Sequence, residues 1–263
     1  MREIYRFDNQ ICLVTGAGSE SGIGFATAKI LGRQGGQVII TGTTERIFDR
    51  EQELRAEGIT ARGYIVDLMD QHSVRKLIDS ISRDIGDIDV LVNNAGMTQV
   101  GQVEKLTLFC NLEDGEFEES IGRNLMTTYY TTREVIKGMI KKCYGRIVNV
   151  SSTTGPIGSN IGETGYGAAK AAMLGMSKGI ALEVAKYKIT VNNVLPGWIG
   201  TASQTQKEAL AGRYTPIGRS GSPDEVAHMI VFLSTKEASY ITGQDFVVDG
   251  GNCIIEDKGS SIS

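Results

Sequence analysis

The stretch ICLVTGAGSESGIG, residues 11–24, joins an apolar, β-branched run to a glycine-rich turn and the start of an amphipathic helix. The dinucleotide fingerprint G-x-G-x-x-G, begun at Gly16, requires a glycine at position 21, where Ser21 stands. Begun at Gly22, the pattern fails again at Thr27. A glycine-rich loop between a strand and a helix N-terminus suits a pyrophosphate, because glycines permit close approach and the helix end carries partial positive charge. A purely structural turn is the alternative.

Apolar runs of strand length alternate with helical stretches along all 263 residues. Because these runs are apolar nearly throughout and each precedes a helix, they predict parallel strands buried on both faces. We therefore expect one α/β domain over residues 1–263, a doubly wound parallel sheet of Rossmann type in a three-layer αβα arrangement. The predicted strands are 11–16, 37–42, 63–67, 88–94, 145–152, 189–196 and 245–250. The predicted helices are 23–34, 45–57, 70–85, 115–142, 166–186 and 222–235.

The charge balance argues against a polyanionic partner. The chain has 27 Lys and Arg against 31 Asp and Glu, a net charge of −4, which favours neither nucleic acid nor an anionic membrane surface. No apolar run approaches the roughly 18 residues of a membrane span. The N-terminal MREIYRFDNQ lacks the apolar core of a signal peptide. We expect a cytoplasmic protein.

The cysteines and histidines indicate neither a metal site nor a disulfide framework. The four cysteines are scattered without a C-x-x-C pair, so thiols are expected. His72 and His228 lie in polar helical stretches without a companion nucleophile or ligand set, and neither is expected to be catalytic.

Chemistry in such a sheet should concentrate where the strands end, because the ligand crevice lies outside their carboxyl ends. Asp67 and Leu68 close the third predicted strand, where the carboxylate could bind an adenine amine. The alternative is a helix N-cap, for which Asp70 is better placed. The fourth strand closes with NNAG, residues 93–96, small enough for a flat ring to lie against the backbone. An Asn-stabilised turn is the alternative.

Ser152 ends the fifth predicted strand, and Tyr166 and Lys170 follow in GYGAAK. Tyr and Lys four residues apart lie on the same face of a helix. Most such pairs are solvated, but the helix around this one is rich in small and apolar residues, and a lysine packed there needs a partner. A neighbouring ammonium favours the phenolate, so Tyr166 could act as a general acid and base on a carbonyl or alcohol oxygen. Ser152 could hydrogen-bond the same oxygen.

These motifs, taken in order, resemble the short-chain dehydrogenase/reductase family in its single-domain branch. The resemblance extends from about Ile11 to Asn252. Each motif is weak alone, but their order and their placement at strand ends are specific. They are the TG…GIG loop at 15–24, Asp67, NNAG at 93–96, Asn124, Ser152, YGAAK at 166–170, PGWIGT at 196–201, PIGRSGSPDEVA at 216–227 and ITGQDFVVDGG at 241–251.

The resemblance implies a catalytic tetrad of Asn124, Ser152, Tyr166 and Lys170. Lys170 would also hold the nicotinamide ribose, and Asn124 would order a water that relays protons to it. Asn124 could instead simply bridge neighbouring helix backbone. The implied cofactor-binding residues are Gly16, Ser19, Gly22, Ile23, Gly24, Thr43, Asp67, Leu68, Asn94, Ala95, Gly96, Tyr166, Lys170, Pro196, Gly197, Ile199 and Thr201.

The same resemblance explains the opening loop. The family's usual pattern is T-G-x-x-x-G-x-G, so the loop from Gly16 to Gly22 is two residues longer, with an insertion around 19–21. Glu20 within it is expected to face solvent. At the end of the second strand Gly42 stands in place of the acid that pairs with the ribose of NAD, and Thr43, Thr44 and Arg46 follow. This favours NADP(H), with NAD(H) as the alternative.

The substrate is less constrained. Segments 153–165 and 198–215, small and polar but including Trp198 and Tyr214, are expected to line its pocket. A 3-oxoacyl-thioester reductase is the first hypothesis, because the whole-chain pattern resembles those enzymes. A sugar, polyol or small secondary-alcohol dehydrogenase is the alternative, and a non-catalytic NADP(H) sensor a remote one. The long segment 97–123 is either a lid or a surface excursion. The resemblance also implies a homo-oligomer, dimer or tetramer.

Overall fold

A computed structural model describes residues 5–96 and 106–256. Its strands are β1 Ile11–Val14, β2 Gln37–Gly42, β3 Ala61–Ile65, β4 Val90–Asn93, β5 Gly145–Val150, β6 Ile189–Pro196 and β7 Asp245–Val248. Its helices are α1 Ile23–Arg33, α2 Arg46–Ala56, α3 Gln71–Asp84, α4 Glu116–Ile121, α5 Thr127–Lys142, α6 Thr164–Val184, α7 Gln206–Arg213 and α8 Pro223–Ser234.

The seven strands form one parallel sheet in the order β3-β2-β1-β4-β5-β6-β7. Cys12 of β1 pairs with Val38 on one side and with Val90 on the other. Strands β2 and β3 therefore extend the sheet on one side of β1, and strands β4 to β7 extend it on the other side. The reversal between β1 and β4 is the switch point at which such sheets bind ligands. The predicted doubly wound fold is confirmed.

Helices cover both faces of the sheet. Because consecutive strand residues point to opposite sides, neighbouring residues of one strand contribute to different cores. Val14 and Ile40 join one apolar core with residues of α1, α2 and α8, whereas Leu13 and Ile39 join a second core with residues of α3, α5 and α6. All four of these strand residues are fully buried. This two-sided burial explains why the strand sequences read as continuous apolar runs.

A row of polar side chains crosses the sheet beneath the ends of β4 to β7. Asn93, Asn149, Asn193 and Asp245 are register partners on successive strands. The amide of Asn149 accepts from Asn93 at 2.8 Å and donates to Asn193 at 3.3 Å, and Asn193 donates to Asp245 at 2.7 Å. Ser177 of α6 contacts both Asn149 and Asn193. Because a buried amide must be paired, this row aligns the four strands and α6 with one another.

Two predicted helical features differ from the structure. The single helix predicted over 115–142 is interrupted by a π-helical turn at Gly122–Met126, which separates α4 from α5. The helix α7 was not predicted, although Thr205 and Glu208 form a capping box at its start. That S/T-x-x-E signature was readable in the sequence. The apolar periodicity around it is weak because α7 lies at the surface.

Within the described part of the chain, none of the helices combines the length and apolar character of a membrane-spanning segment. The same residues contain no cluster of three or more His, Cys, Asp and Glu that could hold a metal ion.

Candidate active site

The loops that follow β1 and β4 are joined by Thr15 and Asn94. Thr15 Oγ1 accepts the backbone N–H groups of Asn94 and Ala95, each at 3.0 Å. The Asn94 side chain donates back to the carbonyls of Thr15 and Gly16, at 3.2 and 3.0 Å. Asn94 therefore does stabilise a turn, the alternative considered for it, and it also lines the cavity described below. The result is a rigid floor at the switch point.

Glycines permit the close backbone contacts around this floor. Gly16 has a φ of +68°, and a Cβ there would lie 2.8 Å from Ala95 Cα. A Cβ on Gly24 would lie 2.8 Å from the Gly16 carbonyl oxygen, so this glycine lets α1 pack directly onto the loop. Close packing of helix onto strand end is the reason the dinucleotide fingerprint has a glycine at this point.

The N-terminus of α1 is open to an anion. Gly22 caps the helix without a side-chain hydrogen bond, and the first turn carries no acidic residue. The first N–H groups of the helix therefore lack the capping partner that Asp70 provides for α3. The inserted residues Glu20 and Ser21 are exposed, as expected for Glu20. The glycine cradle and the uncapped helix end fit a dinucleotide pyrophosphate.

The end of β5 is bound to α6 by two reciprocal hydrogen bonds. Lys170 Nζ donates to the Val150 carbonyl, and Ser151 Oγ donates to the Lys170 carbonyl, both at 2.9 Å. Gly155, with a φ of +100°, lies against the backbone of Gly167 so closely that a Cβ would overlap the Gly167 carbonyl. These contacts hold the segment after β5 at a set distance from the first turns of α6.

Ser152, Tyr166 and Lys170 consequently line one cavity of about 130 Å³ at the carboxyl ends of the strands. Lys170 Nζ lies 5.6 Å from the centre of the Tyr166 ring. Ser152 Oγ accepts the Thr154 backbone N–H at 3.0 Å, which leaves its own hydrogen able to point into the cavity. The three side chains predicted from separate motifs are thus brought together.

Asn124 lies behind this group, in the π-helical turn between α4 and α5. It is 3% exposed, and its side-chain amide donates to the Ser120 carbonyl at 3.1 Å, so it does bridge helix backbone. A Cβ on Gly96 would lie 2.9 Å from Asn124 Oδ1 and 3.4 Å from Lys170 Nζ. The oxygen of Asn124 and the ammonium of Lys170 therefore converge on Gly96. Single π-helical turns within helices are frequent at functional sites.

Lys170 is buried, with 3% of its surface exposed. Burial lowers the pKa of its ammonium from 10.5 to about 8, because the charged form loses its hydration. Burying an ammonium beside a tyrosine ring costs free energy, and packing alone does not require it. Such an arrangement is typical of a functional site.

Most of the remaining predicted cofactor residues lie in two groups. Ser19 and Leu68 belong to neither: Ser19 lies in the loop before α1, and the Leu68 side chain is buried in the apolar core with residues of α3 and α5. Ile23, Asn94, Pro196, Gly197, Ile199 and Thr201 line the cavity with the catalytic candidates. Thr43 and Asp67 are exposed beyond the ends of β2 and β3, outside the lining of this cavity. Asp67 lies two residues past the last residue of β3, and its carboxylate accepts the Met69 N–H at 2.9 Å. Asp70 caps α3, as its sequence position predicted.

The two segments expected to line the substrate pocket do so in part. Thr153, Thr154, Asn160 and Glu163 contribute from the first segment, and Trp198, Ser203, Gln204 and Glu208 contribute from the second. Tyr214 is 73% exposed and does not line the cavity. Of the long segment 97–123, residues 97–105 lie outside the described residues. Leu106, which follows them, packs against Gly162 beside the cavity.

The segment 123–142 carries five basic residues that could dock an acyl carrier. Arg123 pairs with Glu119, Lys137 with Glu134 and Lys142 with Asp89. Lys137 and Lys141 line a separate groove between α3 and α5. None of the five residues, which also include Arg133, lines the cavity that contains Ser152, Tyr166 and Lys170.

A doubly wound parallel sheet with a glycine cradle at its switch point, and a Ser, Tyr and Lys converging beside it, defines a nicotinamide-dependent oxidoreductase acting on CH–OH groups. Comparisons with known proteins agree. A family model described as enoyl-(acyl carrier protein) reductase matches residues 16–252. The chain belongs to the short-chain dehydrogenase/reductase family.

Individual relatives match over nearly the whole chain. The 3-oxoacyl-(acyl-carrier-protein) reductase FabG of Vibrio harveyi is 39% identical over 248 residues, covering 93% of this chain and 97% of that protein. The same enzyme of Aquifex aeolicus is 39% identical over 252 residues, covering 94% and 98%. A crystal structure from Agrobacterium tumefaciens, named a "putative gluconate dehydrogenase", has a TM-score of 0.88 and 29% identity, covering 96% of this chain and 99% of that one.

Proposed function

We propose that this protein reduces the ketone of a short 3-oxoacyl thioester to a secondary alcohol, using NADPH. The observation that carries the proposal is the convergence of Ser152, Tyr166 and Lys170 on one cavity beside the glycine cradle. The identity to the FabG reductases over nearly the full chain supports the substrate class. The cavity of about 130 Å³ favours a short acyl group.

The reaction adds a hydride to the carbonyl carbon and a proton to the carbonyl oxygen. A bound nicotinamide supplies the hydride. Tyr166 donates the proton from its hydroxyl, and Ser152 hydrogen-bonds the same oxygen as negative charge develops on it. Lys170 favours the phenolate that remains, since its ammonium lies close to the ring. The position of Asn124 beside Lys170 supports its holding a water through which Lys170 restores the proton of Tyr166.

The test compares acetoacetyl thioesters with simple ketones as substrates. We expect NADPH oxidation with an acetoacetyl thioester, and a loss of turnover of at least about a hundredfold in Tyr166→Phe, the typical contribution of a general acid. Thermal unfolding and titration should show that this variant still folds and binds NADPH, because only one hydroxyl is removed. Turnover retained in Tyr166→Phe would refute the assignment of the proton donor. Reduction of simple ketones but not of the thioester would refute the assignment of a 3-oxoacyl thioester as the substrate.

The preference for NADPH over NADH rests on the end of β2. Thr43 and Thr44 are exposed there, and Arg46 begins α2 with its guanidinium donating to Thr44 Oγ1 at 3.2 Å. Hydroxyls and a guanidinium suit a ribose 2′-phosphate. Nicotinamide fluorescence titration should show tighter binding of NADPH than of NADH. Arg46→Ala should weaken NADPH binding selectively, whereas Arg83→Ala, an exposed control at the end of α3, should not. Equal affinity of the wild type for the two cofactors would refute the preference.

We also propose a cytoplasmic homotetramer. The support is an exposed row of small residues on α6, Ala168, Ala172 and Gly175, followed by Leu182 with 83% of its surface exposed. Small residues permit the close approach of a second helix. Gly167, another small residue of α6, instead packs against Gly155 within the chain. Light scattering at micromolar concentration should give four times the chain mass, and a monomeric mass would refute the proposal.

A further inference from the structure

The cavity is lined in part by the apolar Trp198 and Ile199, but another part of its wall is polar. This polar wall is formed by Thr153, Thr154, Asn160, Glu163, Gln204 and Glu208. An alkyl chain placed against this wall would deprive these groups of their hydrogen bonds to water and return none. The geometry therefore favours a substrate whose non-reacting end is itself polar.

Glu163 is an acidic member of this wall whose carboxylate does not cap a helix. It precedes α6 at the N-cap position, yet its side chain makes no capping hydrogen bond. Its Oε2 accepts from Asn160 Nδ2 at 3.1 Å. Among the described residues, no lysine or arginine forms an ion pair with it. Glu208 differs, because its carboxylate is used in the capping box of α7.

The environment of Glu163 disfavours its charge. Burial raises the pKa of its carboxyl, and the nearby Glu208 adds to this effect, while the Asn160 hydrogen bond and Lys207 act in the opposite direction. A carboxyl on a cavity wall whose charge is disfavoured in this way is typical of a ligand-recognition group.

Glu163 is also close to the reacting centre. It is the N-cap residue of α6, three residues before Tyr166, and both residues line the same cavity. A group held by Glu163 would thus lie only a few carbon atoms from a carbonyl whose oxygen contacts Tyr166.

We propose that Glu163 accepts a hydrogen bond from a hydroxyl group of the substrate, so that the enzyme prefers small carbonyl compounds carrying a hydroxyl a few carbons from the ketone. This inference rests on the proposed carbonyl reduction at Tyr166, and it specifies the acyl end of the substrate. A hydroxyl fits better than an ammonium, because the wall offers both donors and acceptors, as in the amides of Asn160 and Gln204 and the hydroxyls of Thr153 and Thr154. A hydroxyl uses both kinds of group, whereas an ammonium only donates.

The test uses matched ketone pairs in which a hydroxyl replaces a methyl group: 1-hydroxypropan-2-one against butan-2-one, and 4-hydroxybutan-2-one against pentan-2-one. We expect the wild type to reduce at least one hydroxylated ketone with a kcat/KM ten- to a hundredfold above that of its partner, the range set by a hydrogen bond to a charged group. Glu163→Leu should remove this preference, and Glu163→Gln, which keeps an acceptor oxygen, should retain part of it. Glu183→Gln, an exposed change on the same helix, should leave it intact.

The outcomes separate this inference from the proposed function. If the wild type reduces acetoacetyl thioester but shows no preference within either ketone pair, or if Glu163→Leu keeps the preference, the inference is wrong and the proposed function stands. If the wild type reduces neither the thioester nor any ketone, both are wrong. Thermal unfolding and NADPH titration confirm that each variant is folded, and should Glu163→Leu fail to fold, the comparison of Glu163→Gln with Glu183→Gln decides.

Discussion

Replacing the buried Lys170 with methionine should abolish activity and stabilise the fold. Lys170 is 3% exposed, and burial lowers the pKa of its ammonium from 10.5 to about 8. That drop corresponds to roughly 3 kcal/mol of unfavourable free energy for the charged group at pH 7. Methionine fills similar space without charge, but the Val150 carbonyl loses the Lys170 hydrogen bond, a cost of about 1 kcal/mol. We expect Lys170→Met to raise the free energy of unfolding by about 2 kcal/mol at pH 7.

The pH dependence provides a second, independent check. Because the pKa of Lys170 is lower in the folded chain than in the unfolded chain, only the unfolded chain holds the proton between about pH 8 and pH 10.5. The wild type therefore gains stability relative to the variant as the pH rises through this window, and the advantage of methionine disappears towards pH 10.5.

The assay is urea unfolding followed by circular dichroism at pH 7 and pH 10, at one protein concentration. Lys76→Met, which replaces an exposed lysine of α3, is the control and should change stability little at either pH. A variant at position 170 that is no more stable than the wild type at pH 7 would refute the reasoning, as would a difference that does not depend on pH.

Three further changes test the scaffold of the site. Gly155→Ala should lower both the melting temperature and kcat, because its Cβ would overlap the Gly167 carbonyl. Gly158→Ala, in open space on the same loop, should be tolerated. Equal melting temperatures and kcat values of the two variants would contradict this account. Asn149→Ala should lower the free energy of unfolding by about 2–3 kcal/mol, measured by urea unfolding, because the buried amides of Asn93 and Asn193 lose their hydrogen bonds to Asn149. An unchanged free energy of unfolding would show that these two amides find other partners. Asp70→Ala should lower the melting temperature while Asp70→Asn, which keeps a capping oxygen, should not; equal losses would exclude a capping function.

Most of the fold was predictable because burial on both faces leaves a strong local pattern. All seven strands were expected from apolar runs, and the structure moves their ends by only a few residues, as with β3, which runs from Ala61 to Ile65. The pattern failed where burial is partial or the helical repeat is irregular. The surface helix α7 buries little apolar area, and the π-helical turn at Gly122–Met126 adds a residue to one turn without any distinctive sequence.

The sequence allowed the candidate residues of the site to be selected, but it did not allow their relative positions to be predicted. Ser152, Tyr166 and Lys170 could be selected because each follows a strand end or lies on an unusually apolar helix. Glu163 was inside a segment expected to line the pocket, but nothing in its local sequence marks it. Its partial burial and its neighbour Glu208, 45 positions later in the chain, exist only in the folded protein.

Local order along the chain by itself determined the parallel sheet, the glycine loop at its switch point and the set of candidate residues, because periodicity and strand-end position are properties of neighbouring residues. The tertiary structure alone decided which of these residues share a cavity, and which charges are buried within it. Those properties depend on contacts such as Lys170 with Val150 and Gly155 with Gly167, which join separate elements. Desolvation and distance, the physical causes of the lowered pKa of Lys170 and the raised pKa of Glu163, arise only when these elements pack.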